Sequence, residues 1–112
     1  MELSFSTNKL KKQLTKEREL KKCFTAIYKP LMRRMVELST VESLIDISTN
    51  PPQRRHLLKG DYRNCFGVYV SWNIRFVIQP VPPDLPFLDE GNINYKMIKH
   101  VKIICVEDYH GD

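Results

Sequence analysis

Residues 65–79 read CFGVYVSWNIRFVIQ. Apolar side chains recur at every second position, Phe66, Val68 and Val70 before the triplet SWN and Ile74, Phe76 and Ile78 after it. A period of two places each trio on one face of a strand, and the triplet between them is the expected hairpin turn. Tyr69, Ser71, Arg75 and Gln79 fall on the opposite face. The product is an antiparallel pair with one apolar and one polar side, and the apolar side needs a cover from elsewhere in the chain.

Upstream, the period changes to that of a helix. LSFS at residues 3–6 alternates and predicts a short strand, after which Ser6 or Thr7 caps a helix through NKLKKQLTK. A longer helix is predicted over residues 17–38, where Leu20, Phe24, Ile27, Leu31, Met35 and Leu38 recur at steps of three and four. Its other face is basic, with Lys21, Lys22, Lys29, Arg33 and Arg34. Pro30 lacks an N–H and clashes with the preceding turn, so a kink is expected there. STVE at residues 39–42 fits a capping box that opens a last short helix to about Ile47, before NPP stops it. Downstream, PVPPDLPFLDEGNIN at residues 80–94 reads as a proline-rich loop, and HVKIICVED at residues 100–108 resumes a strand. The expectation is an α+β fold, N-terminal helices packed on one face of a small antiparallel sheet of three or four strands, as a single domain over residues 1–112.

Composition narrows the function. The chain has 112 residues, 42% of them hydrophobic, enough to fold around a core. Lys and Arg number 18 against 13 Asp and Glu, a net charge of +5 that favours an anionic partner. No run approaches the roughly 18 apolar residues of a membrane span, and MELSFSTNKLKKQ turns polar too early for a signal peptide. A soluble cytoplasmic protein is therefore expected. Cys23, Cys65 and Cys105 form no CxxC pair and lie among apolar neighbours, so they read as buried thiols in a reducing compartment. No glycine-rich phosphate loop is present.

If the helices cover the apolar face, the polar face is free to form a site. Arg75 projects from it, the last strand ends in Asp108, Tyr109 and His110, and RRHLLKGDYRN at residues 54–64 adds His56 and Lys59. Alone, His56 reads as a structural imidazole and DYH as a polar tail. Together with Arg75 and Lys59 they suit polyanion chemistry, because cations stabilise a phosphate and His moves protons near neutral pH. Arg54, Arg55 and Arg63 add further cations to the segment at residues 54–64. His56, Asp108 and His110 could instead be drawn as a two-His, one-carboxylate metal site, but the adjacent cations would repel a divalent ion. No metal and no cofactor are expected.

Four stretches, FSTNKLKKQLT, HLLKGDYRN, WNIRFVI and VEDYH, resemble the HigB-type toxins of the RelE/ParE superfamily in order and spacing over nearly the whole chain. The loop at residues 80–94 resembles an insertion of one branch of that family. The resemblance implies a toxin of a type II toxin–antitoxin system, an endoribonuclease (mRNA interferase) that cuts translated mRNA on the ribosome, arrests growth and is held inactive by a HigA-like helix-turn-helix antitoxin. Family site positions match His56, Lys59, Arg75, Asp108, Tyr109 and His110, and on the same resemblance Arg54, Arg55, Tyr62 and Arg63 would contact the RNA. The alternative from the same superfamily is a ParE-like toxin that binds and poisons DNA gyrase without nuclease activity. The chain departs from relatives at Tyr62, where they commonly have a basic residue, and at Asn64, where a Gly is frequent and Asn tolerates the left-handed backbone a turn requires.

Overall fold

The computed structural model describes residues 1–83 and 92–109. The middle of the proline-rich stretch and the chain end, including His110, Gly111 and Asp112, lie outside the described residues. The fold is α+β, with three N-terminal helices and a five-stranded sheet in the order β1-β5-β4-β3-β2. The strands are β1 (Glu2–Phe5), β2 (His56–Leu57), β3 (Phe66–Ser71), β4 (Ile74–Pro80) and β5 (His100–Asp108); the helices are α1 (Asn8–Thr15), α2 (Glu17–Cys23) and α3 (Tyr28–Thr40).

The hairpin forms where the alternation places it, β3 and β4 pairing antiparallel with Tyr69 opposite Arg75. The sheet differs from expectation at its edge. β1 pairs with β5 in parallel, Glu2 opposite His100 through Phe5 opposite Ile103, so the sheet is mixed. The helices between β1 and the rest return the chain past the sheet, which is the crossover that a parallel pair requires.

Thr7 caps α1, its Oγ1 accepting from the Leu10 N–H at 3.0 Å. The long helix predicted over residues 17–38 is two helices. The break falls at residues 24–27, not at Pro30, with Phe24 at φ −129° and Ile27 at φ −124° outside helical backbone. Moving the break upstream puts Pro30 in the first turn of α3, after a single 3-10 turn at Thr25–Ile27, where its missing N–H has no α-helical partner to lose. The capping box does not form either. Ser39 and Thr40 end α3, each hydroxyl donating back to the Val36 carbonyl at 2.9 Å, and a single 3-10 turn at Leu44–Asp46 follows. The Met1 nitrogen donates to the free carbonyls of Leu38 and Ser39 at 3.1 and 3.2 Å and closes this helix end over β1.

Leu14, Leu20, Leu31 and Leu38 from the helices meet Phe66, Val68, Val70, Phe76, Ile78, Val101 and Ile103 of the sheet in one core. Each such side chain contributes about 1.5–3 kcal/mol through burial. One member of the basic helix face is misplaced by the sequence reading. Arg34 is only 3% exposed, its Nε donates to the Tyr69 carbonyl at 3.0 Å and its Nη1 to Glu37 Oε1 at 2.5 Å. Cys23, read as buried, is exposed at the end of α2, whereas Cys65 is buried. Among the described residues no helix is long and apolar enough to cross a membrane.

Arg34 therefore ties the helix layer to the hairpin. Arg34→Ala leaves the Tyr69 carbonyl and Glu37 without their cation and is expected to cost about 3 kcal/mol in urea denaturation. Arg33→Ala, one residue away on the exposed side, should stay within about 0.5 kcal/mol of the parent. Equal losses for the two would remove the special role of Arg34.

Candidate functional site on the open sheet face

The side of the sheet away from the helices is formed by the alternate residues, and the register of β5 decides which those are. Ile78 pairs with Ile103 but Val77 pairs with Cys105, so Ile104 is an extra residue and the strand bulges. A bulge resets the alternation. Val101 and Ile103 face the core before it; after it, Val106 returns to the core while Cys105 and Glu107 share the open side with their partners Val77 and Arg75. Tyr109 follows on that side, fixed by its N–H donating to the Asn73 carbonyl of the hairpin turn at 2.8 Å.

The open face has two parts. One is apolar and covered. Leu58, Tyr62 and Cys65 pack over Val77, Ile104 and Cys105, so Val77 is fully buried on a face expected to be polar. Burial pushes the Cys65 thiol up, and the Tyr62 hydroxyl, 3.5 Å from the Cys105 sulfur, is pushed up to about 12 by that hydrogen bond. Tyr62 is thus engaged as a packing residue. The turn beneath it is built by Gly60 at φ +68° and by Asn64 at φ +67°, the left-handed position expected from its sequence.

The other part is a groove of about 460 Å³ lined by Arg54, Arg55, His56, Tyr69, Arg75 and Tyr109, with Thr49 and Pro51 at one side. Arg75 is held in two ways. Its Nε donates to Glu107 Oε2 at 2.7 Å, and its guanidinium lies 4.5 Å from the centre of the Tyr109 ring. Among the described residues only Nε is bonded, so the two terminal nitrogens stand as donors for an anion. Arg54 stands over the Tyr69 ring at 5.7 Å and has a left-handed backbone, φ +48°, costing of order 1–3 kcal/mol for a residue with a Cβ. The His56 Nδ1 lies 2.8 Å from the Arg54 carbonyl. A carbonyl only accepts, so Nδ1 donates this bond and Nε2 is the ring nitrogen not engaged by it.

His56 reaches this position because its strand partner is Gly67. A Cβ on Gly67 would stand 2.8 Å from the His56 Cε1 and 3.1 Å from its Nε2. The glycine leaves a flat place on the sheet for the ring.

The structure thus brings together Arg54, Arg55, His56, Arg75 and Tyr109 of the residues singled out in the sequence. Arg55 lines the groove but its guanidinium is turned inward. It donates from Nη1 to the Leu44 carbonyl at 2.8 Å, stacks 3.8 Å from the Tyr95 ring and is only 8% exposed, and burial lowers its pKa from the ordinary value. Lys59 and Arg63 are exposed and do not line the groove, and Tyr62 packs beside it. Asp108 pairs with Ile74 and so falls on the core side of the strand, away from His56. His110 lies outside the described residues, as does part of the metal set it would complete; among the described residues no group of three or more His, Cys, Asp or Glu is placed to hold a metal. Tyr69 and Glu107 were not singled out. Tyr69 was legible by parity with Arg75, whereas Glu107 needed the bulge.

Compared with family models, with curated proteins and with solved structures, the chain finds no match.

The contact between Gly67 and His56 has a measurable consequence. Gly67→Ala forces the ring aside and is expected to destabilise by about 1–3 kcal/mol. Combining it with His56→Ala should return about 1 kcal/mol or more of that loss, a coupling read from a double-mutant cycle in urea. Additive losses would show that the ring does not rest on Gly67.

Proposed function

We propose that the chain is a metal-independent endoribonuclease, a toxin of the HigB type that cuts translated mRNA on the ribosome and is neutralised by a helix-turn-helix antitoxin. The observation that supports this reading is the groove itself. It sets an oriented guanidinium, two phenol rings and an imidazole tethered through Nδ1 side by side on the open face of the sheet.

Such a set suits RNA because the substrate supplies its own nucleophile. His56 Nε2 removes the 2′-OH proton, the 2′-oxygen forms a bond to the adjacent phosphorus, and the bond from phosphorus to the 5′-oxygen breaks. An acid returns a proton to that oxygen, leaving a 2′,3′-cyclic phosphate and a 5′-hydroxyl end. With His56 taken as the base, His110, which the family resemblance places among the site residues, is the proposed acid. Arg75 neutralises the crowded phosphate, and Glu107 and Tyr109 hold it in place for that task. Lys59, on the segment that follows β2, adds charge to the approach.

Expression of the wild-type chain should arrest growth and cleave translated mRNA, leaving 2′,3′-cyclic phosphate ends. Arg75→Ala should lower cleavage by about 10²–10³-fold, and His56→Ala and His110→Ala each by about 10²–10⁴-fold. A chelator selective for zinc and other transition metals, which leaves the ribosome's magnesium in place, should leave the rate unchanged. Primer extension on a reporter mRNA reads all of these. Full cleavage by His56→Ala would remove the base assignment, and gyrase-dependent DNA breaks with intact mRNA would replace the nuclease with the ParE-like reading.

A further inference from the structure

The groove contains a row of four side chains that alternate in kind. Arg54 lies over Tyr69, Tyr69 is the direct cross-strand partner of Arg75, and Arg75 lies over Tyr109. Cross-strand partners in an antiparallel pair stand with Cβ atoms about 4.5–5.5 Å apart. Cation, ring, cation and ring therefore follow one another across β3 and β4 to the end of β5.

The two cation–ring pairs are unequal. Arg75 is clamped by Glu107 and sits 4.5 Å from the Tyr109 ring centre. Arg54 is exposed and stands farther off, at 5.7 Å from the Tyr69 ring centre, near the outer limit of about 6 Å for such contacts. A flat base held between a ring and a guanidinium needs about 7 Å, two van der Waals separations, so an outward shift of Arg54 by about 1–2 Å admits one. The backbone beneath Tyr69 will not yield in the process. Its N–H donates to the Gln53 carbonyl at 2.7 Å and its carbonyl accepts from Arg34 at 3.0 Å.

We infer that Tyr69 and Arg54 form a base-stacking subsite for single-stranded RNA, adjacent to the phosphate site at Arg75. The inference rests on the proposed nuclease reading and adds the state of its substrate. An unpaired base enters between Tyr69 and Arg54, its phosphate meets Arg75, and recognition at this position is by the flat face of the base and not by its edge. Every base has such a face, so the subsite selects single strands over duplexes with little sequence preference. It accounts for the exposed, strained Arg54 beside an aromatic residue whose backbone is fixed from both sides.

The test uses binding without cleavage. A fluorescein-labelled single-stranded hexanucleotide of 2′-O-methyl RNA has no attacking hydroxyl, and its affinity is read by anisotropy at low salt. Tyr69→Ala is expected to weaken binding about tenfold, within the range that stacking on one aromatic ring supplies, while Tyr69→Trp holds it within about twofold. Among hexanucleotides with one abasic position, the one whose gap occupies the subsite should bind the wild type about tenfold more weakly and lose nothing further with Tyr69→Ala. A duplex of the same sequence should bind more weakly than the single strand. The inference is overturned if the wild type does not bind the hexanucleotide, if Tyr69→Ala binds as the wild type does, or if its loss is as large on every abasic ligand as on the intact one, which would mark a structural defect. Tyr69-dependent binding without mRNA cleavage would defeat the nuclease reading alone; cleavage with Tyr69-independent binding would defeat the subsite alone.

Discussion

A single extra residue in β5 separates a buried half-strand from an exposed one, and the open face depends on it. Strict alternation from Val101 would carry Ile103, Cys105, Glu107 and Tyr109 into the core side together. A carboxylate would then be aimed at Leu and Phe side chains, where burial without a partner is costly. With Ile104 inserted, Val106 takes the core position and Cys105, Glu107 and Tyr109 change sides. The ion pair between Arg75 and Glu107 forms across β4 and β5 for this reason, and it forms on a face that water reaches. Their side chains are 17% and 25% exposed, so the pair keeps enough solvent to avoid a large desolvation cost while holding the arginine in one orientation.

The rest of the groove is attached to the hairpin by polar bonds from the opposite direction. Glu37 of α3 receives Arg34 at 2.5 Å on one oxygen and the Gln53 side chain at 2.6 Å on the other, while Gln53 and Arg34 together bond the two backbone groups of Tyr69. One helix, one strand and the segment before β2 share this network. Its effect is to fix the backbone that presents Arg54 and His56 relative to the strand that presents Tyr69. Gly67 then supplies the missing volume in which the His56 ring lies. Preorganisation of this kind is what an electrostatic site needs, since donors that are already oriented do not have to reorganise when charge develops.

The parts of the fold that followed a clean period were legible in the sequence. The hairpin at residues 66–80, the Thr7 cap, the leucine stripe and the left-handed Asn64 each rest on a local rule and appear where that rule puts them. Failures came where two local rules competed or where the decision was not local. Pro30 was read as the site of a kink, but a proline is better placed in a first turn, and the chain reaches that by breaking six residues earlier at Phe24. Ser39 and Thr40 can cap a new helix or end the old one, and the contacts of Leu38 with the core favour the latter. The parallel pairing of β1 and the bulge at Ile104 depend on partners about 100 and 26 residues away along the chain, respectively, and no window of sequence contains both members. Within the candidate site, Arg75 was found by parity, and His56 and Tyr109 by residue type and by the family resemblance. Asp108 was assigned to the same group because it adjoins Tyr109, although adjacent residues of a strand point to opposite sides.

The net charge of +5 describes the groove poorly, and the distribution of partners describes it better. Of the cations in the sequence, Lys21 is paired with Glu17 on an exposed helix, Arg34 is buried on Glu37, and Arg55 is buried against Tyr95 and the Leu44 carbonyl. These hold the fold and add little to the field at the open face. Arg75 is partly neutralised by Glu107, so it acts less as a bulk attractant than as a directed pair of donors. Arg54, exposed and held in a left-handed backbone, is the cation of the groove with room to move. On the proposed reading, a phosphate at Arg75 would meet a fixed geometry and a base at Arg54 an adjustable one. Among the described residues, that division between a rigid charge and a yielding one follows from which guanidinium has a carboxylate beside it, and the register of β5 sets it.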